Sequence, residues 1–376
     1  MRPLNWFLGL VALLMGACST MGGGAGLVTQ EHYVRVKSTA PGIAGQDALI
    51  YVRELDARNS ATGQGQKPVV LFVHGAGTPA EVTFDTPYKD YSWMGFLARA
   101  GFNVFSMDMT GYGRSTRPPA MNDPCNFPKA AQAQFVPKNL KAPCDPSYQS
   151  AITTMASDWN DIGAVVDHLR GMRGVDKVSI VGWSQGGPRA AGYAARNPAK
   201  VDRLVVLAPA YNRDRPAEAP NPLPPLAGSM SSQSQADFKA NWDRQVGCAN
   251  QYDPEVSAAV WADMQASDAV GATWGPGVRR APNVPTWGFN RSEVGRMQTP
   301  FLMVTGLHDK QVDSARVREL YEDLGSRQKV ILEMACSSHN AMWEKDHLAL
   351  FKASLDWLKD GKVNGLEAGV VKQGSQ

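Results

Sequence analysis

The sequence predicts an α/β fold, in which a mostly parallel eight-stranded sheet is flanked by helices. Apolar runs of strand length alternate along the chain with segments of helical periodicity, and most connections between them are short. The later apolar runs are nearly continuous rather than alternating, which is typical of parallel strands buried on both faces. This pattern indicates one large α/β core, which we expect to comprise residues 30–210 and 299–362.

Each predicted strand is rich in β-branched or aromatic residues. In chain order the eight runs are HYVRVKS, ALIYVREL, PVVLFVHG, FNVFSMDMTG, KVSIVGWS, DRLVVLAPA, PFLMVTG and KVILEMA. The predicted helices are YSWMGFLARAG, ASDWNDIGAVVDHLRGM, GGPRAAGYAARNP, SARVRELYEDLG and HLALFKASLDWLKDG. Ser157 or Asp158 is the expected N-cap of the second helix. Residues 363–376 are expected to form a C-terminal tail.

Two connections are much longer than ordinary links between strands and helices. Residues 114–150 form the first, and residues 211–298, between strands six and seven, form a predicted cap or lid. Both follow strand ends, where ligands bind in open α/β folds. The cap contains Trp242, Trp261, Trp274 and Trp287. These side chains could line a binding site or form the core of a small cap subdomain.

The N-terminus predicts export. Arg2 precedes an apolar run that is too short to span a bilayer comfortably, and the run ends in small residues before Cys18. The order LMGAC resembles the bacterial lipobox, which implies a signal peptide at residues 1–17, lipidation of Cys18 and a flexible tether over residues 18–29. The protein would then be anchored to a membrane and face the periplasm or the cell exterior. An ordinary cleaved signal and an uncleaved anchor are the alternatives.

Charge and motif content narrow the function classes. The chain has 38 basic and 35 acidic residues, a formal net charge of +3, and no basic block. A nucleic-acid partner is therefore not expected. The histidines lack HExxH spacing and the cysteines lack CxxC spacing, so neither a metal site nor a cofactor is predicted.

Four cysteines follow the N-terminal segment. In an exported protein an even number of cysteines favours disulfides over buried thiols, which are the alternative. Cys125 and Cys144 flank a proline-rich loop, so local closure is the simplest pairing and leaves Cys248 with Cys336. A bridge of the shorter span could stabilise the fold by about 3 kcal/mol.

The stretch VSIVGWSQGG, residues 178–187, places Ser184 in a turn from a buried strand into a helix. A catalytic serine must stand clear of its own backbone and face a base. A tight strand-to-helix turn does this at strained dihedral angles, and it crowds the residues two places away. Gly182 and Gly186 are the residue types that such crowding requires.

The segment GWSQG resembles the nucleophile elbow of the α/β-hydrolase superfamily, and we therefore expect an α/β-hydrolase fold. The resemblance implies that Ser184 is the nucleophile. A second matching segment, VHGAGT, follows the third strand and resembles the superfamily's oxyanion loop. In that pattern backbone amides after the HG pair and after the serine stabilise the negative oxygen, which assigns Ala76 and Gln185 to the oxyanion hole.

The same resemblance assigns the acid and the base. His339 follows the last strand and Asp309 follows the seventh, so Ser184, Asp309 and His339 occur in the superfamily's chain order. His308 is the rival base. Asp313 and Asp214 are fallback acids, whereas Asp108, in DMTGYGRS, resembles a structural turn. A bridge from Cys248 to Cys336 would tie the histidine loop to the cap.

The resulting expectation is an exported serine hydrolase that cleaves a carboxylic ester through an acyl-enzyme intermediate. Its partners would be a small-molecule or acyl-ester substrate and a membrane reached through the lipidated N-terminus. The same catalytic residues serve amidases, peptidases and thioesterases, and fold does not select among them. A binding lipoprotein that has lost catalysis is the alternative of a different class.

Overall fold

A nine-stranded sheet runs through the centre of the molecule. The structure, a computed structural model, describes residues 26–57 and 66–373. The strands of this sheet are β1 Leu27–Lys37, β2 Asp47–Ala57, β3 Val69–Val73, β4 Asn103–Met107, β5 Val178–Trp183, β6 Val201–Leu207, β9 Phe301–Gly306, β10 Lys329–Met334 and β11 Ala368–Gln373. A separate two-stranded sheet contains β7 Met230–Ser234 and β8 Val278–Pro282.

Strand order in the large sheet is β1-β2-β4-β3-β5-β6-β9-β10-β11. Strands β1, β2 and β4 pair antiparallel, and all the pairs from β4 through β11 are parallel. The predicted mostly parallel α/β sheet is therefore confirmed, with one strand more than the eight predicted. The additional strand, β11, lies in the segment predicted as a tail. Val371 is its one buried side chain, so its sequence carries little strand signal, and backbone pairing with β10 holds it.

The helices cover both faces of the sheet. They are α1 Ala80–Phe84, α2 Trp93–Arg99, α3 Lys129–Gln132, α4 Met155–Arg173, α5 Gly186–Arg196, α6 Gln235–Asp243, α7 Pro254–Ser267, α8 Ala269–Ala272, α9 Arg291–Val294, α10 Ser314–Asp323 and α11 His347–Asp360. Single 3₁₀ turns occupy Pro41–Ile43, Pro119–Asn122, Pro124–Asn126, Ala133–Phe135 and Ala341–Trp343. Helices α2 and α11 pack on one face of the sheet, and α4, α5 and α10 pack on the other.

Helix α4 begins earlier than its sequence suggested. Thr154, rather than Ser157 or Asp158, is its N-cap, and the Thr154 side chain accepts a hydrogen bond from the Ser157 amide. Ser157 completes the capping box by accepting from the Thr154 amide in return. Reciprocal capping of this kind satisfies two amides that otherwise lack partners, which explains the earlier start.

Residues 211–298, the predicted cap, pack against the α/β core. They contain β7, β8 and α6–α9. The apolar side chains of α6 and α7 continue the core on the α2 and α11 face, whereas Tyr211, Phe289 and Val294 join the core on the opposite face. The four tryptophans of this segment are all buried: Trp242, Trp261, Trp274 and Trp287. Trp242 and Trp261 pack in the main core, and Trp274 packs in a smaller apolar cluster with Phe127 and Phe135, so these three are core side chains.

The other long connection, residues 114–150, packs against this cap. Phe127 and Phe135 lie against Trp274 of the cap, with ring centroids 5.9 and 6.1 Å away. A disulfide joins Cys125 to Cys144, and a second joins Cys248 to Cys336. These are the two pairs predicted from the sequence.

The predicted signal peptide, residues 1–17, and the predicted lipidation site, Cys18, lie outside the described residues. Strand β1 begins at Leu27, inside the segment predicted as a tether, and pairs with β2 along its whole length. Over residues 26–57 and 66–373, none of the helices combines the length and the apolar character needed to cross a bilayer.

Asp161 makes the stability of the fold depend on pH. This buried α4 side chain accepts a hydrogen bond from the Thr110 amide at 3.0 Å, and burial raises its pKa to about 7. An exposed aspartate has a pKa of about 3.9. Between these two values the unfolded chain releases the proton while the folded chain retains it, so rising pH favours unfolding.

Asp161→Asn should remove this loss of stability, because asparagine does not ionise. Relative to wild type, we expect the variant's free energy of unfolding to rise by about 4 kcal/mol between about pH 4 and pH 7, measured by chemical denaturation. The exposed Asp202→Asn serves as a control and should follow the wild-type pH dependence. A difference between Asp161→Asn and wild type that stays constant with pH would contradict the prediction.

Candidate active site

Ser184 lies in a left-handed turn between β5 and α5. Its φ is 56°, a conformation that residues other than glycine rarely adopt. Three backbone hydrogen bonds hold the turn: the Ser184 amide donates to Leu207, and the Ser184 carbonyl accepts from Gly187 and Ala210, all within 3.0 Å. The side chain of Ser184 is only partly buried. The turn thus leaves Ser184 partly open to solvent.

Glycines occupy the positions around this turn because a side chain there would collide with neighbouring atoms. A Cβ added to Gly182 would stand 2.8 Å from the carbonyl oxygen of Gly186. One added to Gly186 would stand 2.5 Å from the carbonyl oxygen of Val73. Gly75 is equally constrained, since its Cβ would be 3.0 Å from the Cβ of Ser184. The roles inferred for Gly182 and Gly186 from the sequence have this steric basis.

His339 and Asp309 form a buried hydrogen-bonded pair. The imidazole Nδ1 lies 2.8 Å from Oδ2 of Asp309, and both residues are buried. The other carboxylate oxygen, Oδ1, accepts from the amides of Gln311 and Val312 at 2.7 and 2.8 Å. The carboxylate is therefore fixed at both oxygens. It orients the ring so that Nε2 is the nitrogen left to exchange a proton.

Trp183 connects the serine turn to the histidine. Trp183 is the last residue of β5 and directly precedes Ser184. Its indole N–H donates to the carbonyl oxygen of His339 at 2.8 Å. The two rings also pack together, with centroids 5.3 Å apart. The structure therefore places the Ser184 turn and the His339–Asp309 pair beside each other.

The loop after β3 passes directly beside Ser184. Ala76 is exposed there, and Gln185 on the other side of the turn is partly buried. His74 fixes the start of the loop: its Nε2 accepts from the Met109 amide at 3.0 Å, so Nδ1 carries the proton that is donated to the Gly75 carbonyl. Burial lowers the pKa of His74, which keeps the ring neutral. His74 is thus a structural residue.

Arg189 supports the same loop from behind. The side chain is fully buried, and its Nη1 donates to the carbonyl oxygens of His74 and Gly75 at 3.1 and 2.8 Å. Its Nε donates to Asp158 at 2.7 Å, so the buried cation has a buried counter-charge. These bonds fix the two peptide units before Ala76, and Arg189 is therefore a positioning residue for the predicted oxyanion donors.

Glu344 organises the loop that carries His339. It is fully buried and accepts hydrogen bonds from the Ser338 amide at 2.7 Å and from the side chains of Trp242 and Gln251 at 3.0 Å. Burial raises the pKa of its carboxyl group. Since Trp242 and Gln251 belong to the cap, this carboxyl group connects the histidine loop to the cap.

The loop between α6 and α7, residues 244–253, also contacts the loop that carries Asp309. Gln245 accepts a hydrogen bond from the Lys310 amide at 3.1 Å, next to Asp309. The Cys248–Cys336 disulfide ties the same α6–α7 loop to the segment before His339. This is the connection between cap and histidine loop that the cysteine pairing predicted.

The alternative candidates from the sequence lie elsewhere. His308 points at the cap, with Nε2 3.5 Å from Sγ of Cys248. Asp313 is exposed and caps α10, and Asp214 is also exposed. Asp108 is buried and accepts from the amides of Ala80 and Arg114 at 2.8 and 3.0 Å, so it stabilises a turn.

Comparisons with known proteins agree with this architecture. The family described as alpha/beta hydrolase fold matches residues 68–346. The crystal structure of carboxylesterase CesB (YbfK) from Bacillus subtilis is similar, with a TM-score of 0.51 and 15% identity over 89% of this chain and 93% of that one. The esterase EaEST from Exiguobacterium antarcticum has a TM-score of 0.51 and 13% identity over 87% of this chain and 99% of its own.

A serine hydrolase involved in carbazole degradation, the CarC enzyme, has a TM-score of 0.51 and 19% identity over 87% of this chain and 99% of its own. Among curated protein sequences none matches this chain. The matched family segment covers well over half of the sequence and includes all the strands from the Ser184 turn to the loop that carries His339. The chain belongs to the alpha/beta hydrolase fold family.

Proposed function

We propose that this protein is a serine hydrolase that cleaves a carboxylic ester through an acyl-enzyme intermediate. The observation that carries the proposal is the His339–Asp309 pair, fixed at both carboxylate oxygens and joined through Trp183 to the left-handed turn at Ser184. An ester is chosen over an amide because two of the proteins with similar folds are named esterases.

In the proposed reaction His339 accepts the proton of the Ser184 hydroxyl as the oxygen attacks the acyl carbon. Asp309 holds the imidazole and stabilises its protonated form. The amides of Ala76 and Gln185 donate to the oxyanion, and His339 then returns the proton to the leaving alcohol. Water, activated by His339 in the same way, releases the acid and restores the Ser184 hydroxyl.

The buried positioning residues support this role. An oxyanion hole stabilises the transition state only if its donors are already in place when charge develops. Arg189 fixes the carbonyl groups on the back of the loop that contains Ala76, so the amide direction is set before substrate binds. Glu344 fixes the Ser338 amide next to His339 in the same manner.

A fluorophosphonate probe tests the nucleophile. We expect the folded wild-type protein to be labelled covalently, and Ser184→Ala to remain unlabelled, because only an activated serine reacts with such probes. Ser150→Ala is a matched control, since this serine is exposed, and it should be labelled like the wild type. Equal labelling of wild type and Ser184→Ala, or no labelling of either, would refute the serine hydrolase proposal.

The base is tested by comparing two histidines. We expect His339→Ala to reduce kcat on aryl esters by about ten-thousand-fold or more, as loss of a triad base does. His308→Ala should keep most of the activity, because that ring lies against Cys248. Steady-state kinetics of both purified variants decide the assignment. A larger loss in His308→Ala than in His339→Ala would reverse it.

The N-terminal segment supports a further part of the proposal, namely export and anchoring through a lipid on Cys18. The protein would face the periplasm or the cell exterior. Metabolic labelling with palmitate should mark the full-length wild type and fail for Cys18→Ser, as judged on immunoprecipitated protein. Label that persists in Cys18→Ser, or that is absent from the wild type, would contradict lipidation at this position.

A further inference from the structure

Two adjacent arginines on the cap strand β8 have opposite environments. Arg280 is fully buried, and its guanidinium group has partners within the protein. It pairs with Asp268 at 2.7 Å and donates to the carbonyl oxygen of Met121. Successive side chains of a strand point to opposite faces, so Arg279 points away from this pair. Its guanidinium group is directed at the loop after β3, beside the predicted oxyanion donors.

The guanidinium group of Arg279 lies very close to Gly77. A Cβ added to Gly77 would stand 1.8 Å from Nη1 and 2.2 Å from Cζ of Arg279, so the guanidinium occupies the space of a side chain at residue 77. Gly77 follows the exposed Ala76, and Gly75 lies against Ser184. Since successive Cα atoms are about 3.8 Å apart, these contacts place the guanidinium within roughly 15 Å of the Cβ of Ser184.

Arg279 has no acidic partner in the part of the chain that the structure describes. Its one hydrogen bond runs from Nε to the side-chain oxygen of Gln233 at 2.9 Å, and no ion pair within 4.0 Å is formed with described residues. The side chain is partly buried. Burial lowers its pKa to about 10, so the group is charged at neutral pH.

A partly buried cation without a counter-charge is costly, and an anionic ligand group removes that cost. The planar guanidinium donates two parallel hydrogen bonds and matches a carboxylate in shape and charge. The neighbouring Arg280 makes such a contact within the protein, because its guanidinium group donates to the carboxylate of Asp268. At Arg279 the described residues supply no such carboxylate.

We propose that Arg279 binds a free carboxylate carried by the substrate, so that the substrates are esters with a second, ionised acid group. This inference rests on the proposed serine hydrolase function and names its substrate class. Arg279 is a specificity residue: it recognises a group remote from the scissile bond, and Gly77 keeps the space for its guanidinium open. Binding energy at such a remote group raises kcat/KM for the matching substrate.

Matched ester pairs test the proposal. The anionic members are the mono-4-nitrophenyl esters of adipic and suberic acid, with methyl 4-nitrophenyl diesters as neutral counterparts. A second pair, 4-acetoxybenzoate and its methyl ester, places the carboxylate in the alcohol part. The quantity measured is the ratio of kcat/KM for the anionic ester to that for the neutral ester, in wild type and in Arg279→Gln, Arg279→Lys and Arg244→Gln.

We expect wild type to prefer the anionic member of at least one pair, and Arg279→Gln to lower that ratio by about tenfold or more, because a charge-assisted hydrogen bond is lost. Arg279→Lys should be intermediate, since an ammonium group keeps the charge without the planar fork. Arg244 is an exposed arginine on the same cap, and Arg244→Gln should keep the wild-type ratio.

An unchanged ratio in Arg279→Gln would overturn the proposal, including the case in which the rates for both members fall equally. An equal fall would indicate that Arg279 acts on the oxyanion or on the loop. Thermal unfolding of each variant, followed by circular dichroism, confirms that the compared proteins are folded.

A binding measurement separates this proposal from the proposed reaction. Isothermal titration calorimetry of monomethyl suberate into Ser184→Ala, which cannot form an acyl-enzyme, measures recognition without turnover. Adding Arg279→Gln should weaken binding by about tenfold or more. Equal affinities in the two proteins, or no binding in either, would refute the role of Arg279. Binding lost with Arg279→Gln together with absent fluorophosphonate labelling of wild type would refute only the catalytic proposal.

Discussion

The left-handed backbone at Ser184 is the constraint on which the rest of the site depends. Such a conformation costs a residue with a side chain about 1–2 kcal/mol, so the surrounding structure has to impose it. Here the conformation is imposed by the hydrogen bonds that the Ser184 backbone makes with β6 and with the residues after it. Three glycines contribute as well, because their missing side chains let Val73, Gly186 and Ser184 come close to the turn. The close packing of α5 on the sheet follows from the same turn, since α5 begins two residues after Ser184.

Features governed by local chemistry were predictable from the sequence. Strands β3, β4 and β5 are buried along their whole length, which leaves a nearly continuous apolar run in each, interrupted only by Ser106 within β4 and Ser179 within β5. The glycines around Ser184 and the order of Ser184, Asp309 and His339 likewise follow from local sterics and from the family resemblance. Strand β11 was not predictable, because backbone pairing with β10 holds it and Val371 is its one buried side chain.

The positioning residues could not be predicted because buried and exposed charges look alike in a sequence. Arg189 occurs among alanines and glycines of α5, and no pattern distinguishes it from Arg196, which lies about two turns later at the surface of the same helix and pairs with Glu293. Glu344 follows His339 by five residues, but its partners Trp242 and Gln251 are about a hundred residues away. Such long-range hydrogen bonds exist only once the cap has folded onto the core.

The α6–α7 loop also connects the cap to the two loops that carry Asp309 and His339. It is bound to the acid loop through Gln245, to the histidine loop through Glu344, and covalently to Cys336. A movement of the whole cap away from the core would break this covalent bond and the hydrogen bonds at Gln245 and Glu344. The loops that carry Asp309 and His339 are therefore mechanically coupled to the α6–α7 loop, and a displacement of one of the three displaces the others.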